Sequence, residues 1–97
     1  MKIEMLELKD TVKLMNSGDY KDRFIAEYLQ LEIRTRKLKA MLDKWNEGKL
    51  PFTPTCPYHF LAAQLQVMED LLTILKARAK LEEIDLDDVD GGLGNGE

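Results

Sequence analysis

The chain has one cysteine and one histidine, Cys56 and His59. A single cysteine closes no internal disulfide, and no Cys pair at zinc spacing accompanies it. A single histidine excludes any site built from several imidazole ligands. Three residues apart, Cys56 and His59 would share a helix face. Nothing supplies the third group that orients a Cys–His nucleophile, so an inert thiol and a surface imidazole are expected. Three prolines and six glycines in 97 residues are too few for a chain of many short strands and turns. No apolar run approaches the ~20 residues that span a bilayer. The N-terminus, Met1-Lys2-Ile3-Glu4-Met5-Leu6-Glu7, carries acids where a secretion signal has an unbroken apolar stretch. No membrane association is expected, and a cytoplasmic location is. A glycine-rich phosphate loop, an acid pair at metal-site spacing and a Ser/His/Asp set are all missing, so neither catalysis nor a cofactor or metal is expected.

What is present is helix composition: 33% charged residues, 44% apolar, and an abundance of Leu, Lys, Glu, Asp, Ala and Met. The length allows one small domain. The net charge of −4 hides an asymmetry. Residues 82–97 hold seven acids and no base, which leaves 14 bases against 11 acids in residues 1–81, a net of +3. A body so weakly basic, with a tail that repels phosphate, is a poor reader of duplex DNA.

The apolar spacing predicts an all-α chain. Residues 3–16 read as a short amphipathic helix, with Asp10 and Thr11 able to cap a turn. Asn16-Ser17-Gly18-Asp19 breaks it, and Asp19 is the expected N-cap of a long helix over 20–47 that stops at Gly48. Within that helix Phe24, Leu31, Leu38 and Trp45 recur every seven residues, interleaved with Tyr28, Thr35 and Leu42. That is a seam of period 3.5. Ile25, Leu29, Ile33 and Ala40 form a second stripe. Three prolines between 51 and 57 forbid helix there. Thr55 is the expected cap of a second long helix over 57–83. Its seam is Leu61, Leu65, Met68, Leu72, Leu75 and Ala79; Phe60, Val67, Leu71, Ile74 and Leu81 form its second stripe. A nine-residue connection folds the two long helices into an antiparallel hairpin. Residues 1–85 make the helical domain; residues 86–97 make an acidic, glycine-rich tail.

A hairpin buries one stripe of each helix and leaves the others uncovered. Below ~100 residues its core is thin. Self-association into a homo-oligomeric bundle through Phe60, Val67, Leu71 and Ile74 is therefore expected. At the open end, Tyr20 and Arg23 open the first long helix while Arg78 and Lys80 arrive from the second, with Tyr28 one to two turns along. Helix N-terminal amides, arginine forks and aromatic rings together suit a phosphate and a stacked base, so these five residues form the expected ligand site. The plainer expectation is a set of ion pairs flanking the seam: Glu27 with Arg78, Arg23 with Glu82, and Arg34, Arg36 and Lys37 with Glu69 and Asp70.

The run Thr11-Val12, Met15-Asn16-Ser17, Asp19-Tyr20-Lys21-Asp22-Arg23-Phe24 and Glu27-Tyr28, the loop Phe52-Thr53-Pro54-Thr55-Cys56-Pro57, and Gln64, Met68, Leu75 and Ala77-Arg78-Ala79 resemble a family of small bacteriophage and prophage proteins related to an orphan protein of a crAss-like phage. The likeness covers about residues 9–86; a tyrosine usual three positions after the central Met is Leu71 here. The resemblance implies a phage-encoded helical hairpin working in the host cytoplasm. In architecture alone the chain is also similar to phage hairpin proteins that assemble and sequester the nucleotide signals of bacterial immunity. The expected function is thus non-catalytic counter-defence: an oligomer that takes up a cyclic-nucleotide or ADP-ribose-type signal. The alternative is an interaction module, or an inhibitor, that binds a host or phage protein through its spare apolar face.

Overall fold

A computed structural model describes residues 5–86. A 3-10 turn, Leu8–Thr11, runs into a single α-helical turn, α1 (Val12–Met15); two long helices follow, α2 (Tyr20–Asn46) and α3 (Tyr58–Leu81). Helices α2 and α3 pack antiparallel, as the two seams predict. The seam side of α2 buries Phe24, Tyr28, Thr35 and Leu42 toward α3, which contributes Leu75 and Ala79. The second stripe of α2 is also buried at Ile25, Leu29 and Ile33, but not at Ala40, which is exposed. Residues 6–15 cover the buried part, with Leu6 and Leu14 in the same core cluster. Helix α2 is therefore the central element, sandwiched between α3 and an N-terminal arm.

That arm is shorter in helix than residues 3–16 predict. Thr11 explains the break: its side chain is fully buried, donates to the Leu8 carbonyl at 2.7 Å and accepts from Gln30 Nε2 at 2.8 Å. Hydroxyl bonding to a nearby carbonyl favours a tight turn over a continuous helix. Asp10 does not cap α1: it is the third residue of the 3-10 turn and accepts the amide of Glu7, that turn's N-cap, at 2.9 Å, while Thr11 precedes α1 without a side-chain cap bond. Two cations of α2 fasten the arm: Arg36 donates to the Leu6 carbonyl, and Lys37 pairs with Glu7. Both were expected to face Glu69 and Asp70 of α3. The arm takes Lys37, one turn on from Ile33; Arg36 lines a groove with Glu69 but bonds the Leu6 carbonyl and pairs with Glu32 on its own helix.

Asp19 caps α2 as expected, its carboxylate accepting the Lys21 amide at 2.9 Å. Ser17 braces this cap, accepting from the Asp19 amide and donating to Asp22. Both long helices end the same way. At α2, Gly48 (φ 72°) lets the Lys49 amide reach back to the Lys44 carbonyl at 2.9 Å. At α3, Glu83 takes the left-handed position (φ 59°), and the Ile84 amide bonds the Ala79 carbonyl at 2.8 Å. These are paired Schellman-type bonds, and the second carries its usual apolar contact, since Ile84 is buried. Leu86, expected to open the tail, is half-buried against the core. The rest of the predicted tail, 87–97, lies outside the described residues.

The start of α3 differs from expectation. Its N-cap is Pro57, with extended ψ of 147°, and no side chain caps it. Thr55 lies two residues before the cap position, because Pro57 pushes its predecessor Cys56 out of the helical region. Edge-on packing of Trp45 and Tyr58, 5.2 Å apart, and an Asn46 Nδ2 to Tyr58 hydroxyl bond of 2.8 Å close this end of the hairpin.

Candidate functional site

At the open end, the first turn of α2 meets the last turn of α3. The Tyr20 hydroxyl donates to Glu82 Oε1 at 2.8 Å and accepts from Arg78 Nη2 at 3.0 Å. Arg78 Nε reaches Glu82 Oε2 at 3.3 Å, and its guanidinium carbon lies 4.8 Å from the centre of the Phe24 ring. Tyr20 leans on the same ring at 6.3 Å. Cation–π stacking and two polar bonds thus hold the guanidinium in one orientation. The bond to Glu82 raises the Tyr20 pKa above its ordinary value of 10, because ionising the phenol beside a carboxylate is unfavourable. The same carboxylate, first by its bond, raises Arg78.

The five expected ligand residues do not all meet here. Tyr20 is 48% exposed and sits beside Arg78, as proposed. Arg23 is exposed one turn along, but its guanidinium donates to the Ser17 carbonyl at 2.9 Å and does not pair with Glu82. Tyr28 is only 6% exposed, inside the core, so its ring offers no face for stacking. Lys80 lies elsewhere. Two residues from Arg78, it projects about 200° around the helix. It lines a shallow groove of about 280 Å³ with Tyr28, Lys76, Ile84 and Asp85. The expected pair of Glu27 with Arg78 gives way to Arg78 with Glu82, four residues apart on one helix face.

Sequence reasoning missed two members of the cluster. Phe24 was assigned wholly to the seam, yet its ring is also the platform for Arg78. Glu82 was assigned to Arg23; its spacing from Arg78 was the available signal. The expected assembly residues Phe60, Val67, Leu71 and Ile74 are all exposed on α3. Among the described residues no group of three or more His, Cys, Asp or Glu side chains is placed to hold a metal ion, and no helix is long and apolar enough to cross a membrane.

The architecture is therefore a two-helix hairpin backed by a short arm, with an arginine–aromatic–carboxylate cluster at its open end. The chain belongs to the Sequestin family, whose model matches residues 18–81. That span begins just before the α2 cap and stops at the last residue of α3, so the family signature is the hairpin and not the arm. No curated protein and no solved structure matches the chain.

Proposed function

We propose that this chain is a phage-encoded, non-catalytic sequestering protein that counters host defence by taking up a nucleotide-type signal, a cyclic nucleotide or an ADP-ribose-like molecule, in a homo-oligomer. The family name speaks of sequestering, and sequestration needs a rigid binding surface and no reacting group. The observation that carries the reading is the Arg78 guanidinium, stacked on Phe24 and flanked by Tyr20, at the open end. A fixed guanidinium fork binds phosphate in two-pronged fashion, and its stacking partner keeps the fork ordered before the ligand arrives. Glu82 holds the Nε prong of that fork and the Tyr20 hydroxyl its Nη2 prong. Uptake is then an exchange: phosphate replaces the carboxylate on Arg78, while Tyr20 offers its hydroxyl or its ring. Arg23 adds charge at the α2 N-terminus, where free amides favour anions.

A thermal-shift screen with cyclic dinucleotides and ADP-ribose, followed by titration of Arg23→Ala and Arg78→Ala, tests this. A ligand at 100 times its dissociation constant adds about 2.7 kcal/mol, a rise of ten degrees or more in a domain this small. Arg78→Ala is expected to remove the shift and Arg23→Ala to weaken it. If no member of the screen shifts the melting temperature, the reading fails. A second reading, a module that docks on a host protein, is favoured by the exposed apolar stripe of α3. Recovery of a stoichiometric complex between the purified chain and one defined host protein, with no nucleotide effect, would establish it instead.

A further inference from the structure

Phe60, Val67, Ile74 and Leu81 follow one another at intervals of seven along the whole of α3, and they are 61%, 65%, 54% and 84% exposed. Leu71 is exposed beside them. Facing the other way, α3 buries only Leu75 and Ala79, both in its last two turns; no residue from Tyr58 to Leu72 is fully buried. The helix thus carries a second heptad seam, and for most of its length that seam is bare. A monomer leaves most of this 24-residue helix without a closed core.

We infer that two copies of this chain pair α3 against α3 in antiparallel fashion along this seam, setting Phe60 against Leu81 and Val67 against Ile74 of the second copy. The inference rests on the oligomeric part of the function proposed above and specifies its geometry. Three features select this occupant. First, a row with period seven over about 32 Å of helix needs a helical partner with the same repeat, and the chain itself carries one. A two-fold pairing closes, so the match is complete without a further surface. Second, the area suffices. Each of five apolar side chains withdraws on the order of 100 Å² from water. Together they supply on the order of 500 Å², the larger part of the ~800 Å² per partner of a stable interface, with the polar flanks of α3 left to supply the rest. Third, charge selects the direction. Parallel copies would set Arg78 against Arg78 and Lys76 against Lys76 at one height. Antiparallel copies put Arg78 level with Ala63, about 22 Å along the axis from its counterpart, and oppose the helix dipoles.

The pairing completes the open-end cluster. With Tyr28 buried, Tyr20 is the exposed ring that one copy offers beside Arg78. Antiparallel register brings His59 and Phe60 of the second copy level with Glu82 and Leu81, next to Tyr20 and Arg78. Phe60 of the second copy then supplies a stacking face that one copy lacks, and each pair of chains holds two such composite sites.

Cysteine scanning in a Cys56→Ser background tests orientation and register together. Leu71 lies at the two-fold axis and meets Leu71 of the second copy. The two Val67 positions stand about 10 Å apart along the axis, beyond disulfide reach. Under mild oxidation Leu71→Cys is expected to form a covalent dimer, and Val67→Cys is not. Cross-linking of both variants would mean parallel helices. Cross-linking of Val67→Cys alone would mean a slipped register, and of neither a different interface. Each of those outcomes overturns the pairing, yet leaves an oligomer if light scattering still finds one. A monomer at ~50 µM overturns the pairing and the oligomeric reading alike. The double variant Val67→Glu/Ile74→Glu is expected to be monomeric with unchanged helical circular dichroism. Loss of helicity would place the stripe in the chain's own core and end the proposal.

Discussion

Thr11 is fully buried and its hydroxyl makes two bonds, one to the Leu8 carbonyl and one from Gln30. Thr11→Val keeps the shape and removes both, leaving an amide and a carbonyl short of partners. A cost of about 1–2 kcal/mol is expected, which chemical denaturation with unchanged m-value will show. Glu83 is a different case. Its side chain has no need of the left-handed conformation that the α3 terminus requires, and a non-glycine residue there costs about 1–2 kcal/mol. Glu83→Gly relieves that strain while adding freedom to the unfolded chain, so a net gain of about 0.5–1 kcal/mol is expected. A melting temperature that falls would show that the Glu83 side chain contributes more than its backbone loses. Glu7 sets a pH limit on the arm. Its bond to Lys37 holds the carboxyl below the ordinary value of 4.5. A lowered pKa in the folded state means that the contribution is present above 4.5 and is lost as pH falls through the folded value. Protection factors for amide exchange across residues 6–15 are expected to fall as pH drops below 4.5 in the wild type, and to be modestly lower already at pH 7 in Lys37→Gln.

At the level of elements, the two long helices and their antiparallel packing were legible because apolar spacing reports directly on burial: Phe24, Tyr28, Thr35 and Leu42 recur on one side, and Asp19 and Gly48 punctuate. Three things were not legible, and each has a local cause. Residues 3–16 show helical spacing, yet Thr11 spends its hydroxyl on a tight turn. Thr55 looks like a cap, but Pro57 displaces the helix start by its own backbone constraint. Glu83 carries no sign of a left-handed position, because glycine normally marks one. The open-end cluster was half legible. Tyr20 and Arg78 were placed there from residue numbers across the hairpin. The burial of Tyr28 was legible in its seam spacing with Thr35 and Leu42, which its place in the expected ligand set disregarded. The arm yields a prediction at this scale. Removing residues 1–16 bares Ile25, Leu29 and Ile33 on the back of α2. Because the family match begins at residue 18, the hairpin is expected to keep its helicity, melt several degrees lower and scatter light as larger aggregates.

For the whole molecule the decisive group is Glu82. It lies between Tyr20 and Arg78 and accepts from both. On an exposed surface such an ion pair contributes little to stability. Its effect on a ligand is larger, because a phosphate entering the fork must first displace a carboxylate of the same sign. Glu82→Gln keeps the shape and a weaker bond to Arg78 while removing the competing charge. If the open end is the uptake site, this variant is expected to bind the ligand found in the thermal screen several-fold to tenfold more tightly. The gain should shrink as salt is raised from 50 mM to 500 mM, since ions screen exposed charge. Stability alone makes the opposite forecast: loss of the Tyr20 and Arg78 partner lowers the melting temperature slightly and leaves affinity unchanged. The phenol distinguishes the two further. Its pKa is raised by Glu82 in the free chain, so its bond persists until pH climbs above the ordinary value of 10 and is lost beyond the folded value. In Glu82→Gln the largest cause of that rise is gone, and the tyrosinate absorbance of Tyr20 is expected to develop at lower pH. An unchanged titration together with unchanged affinity would remove Glu82 from the site and with it the exchange of carboxylate for phosphate.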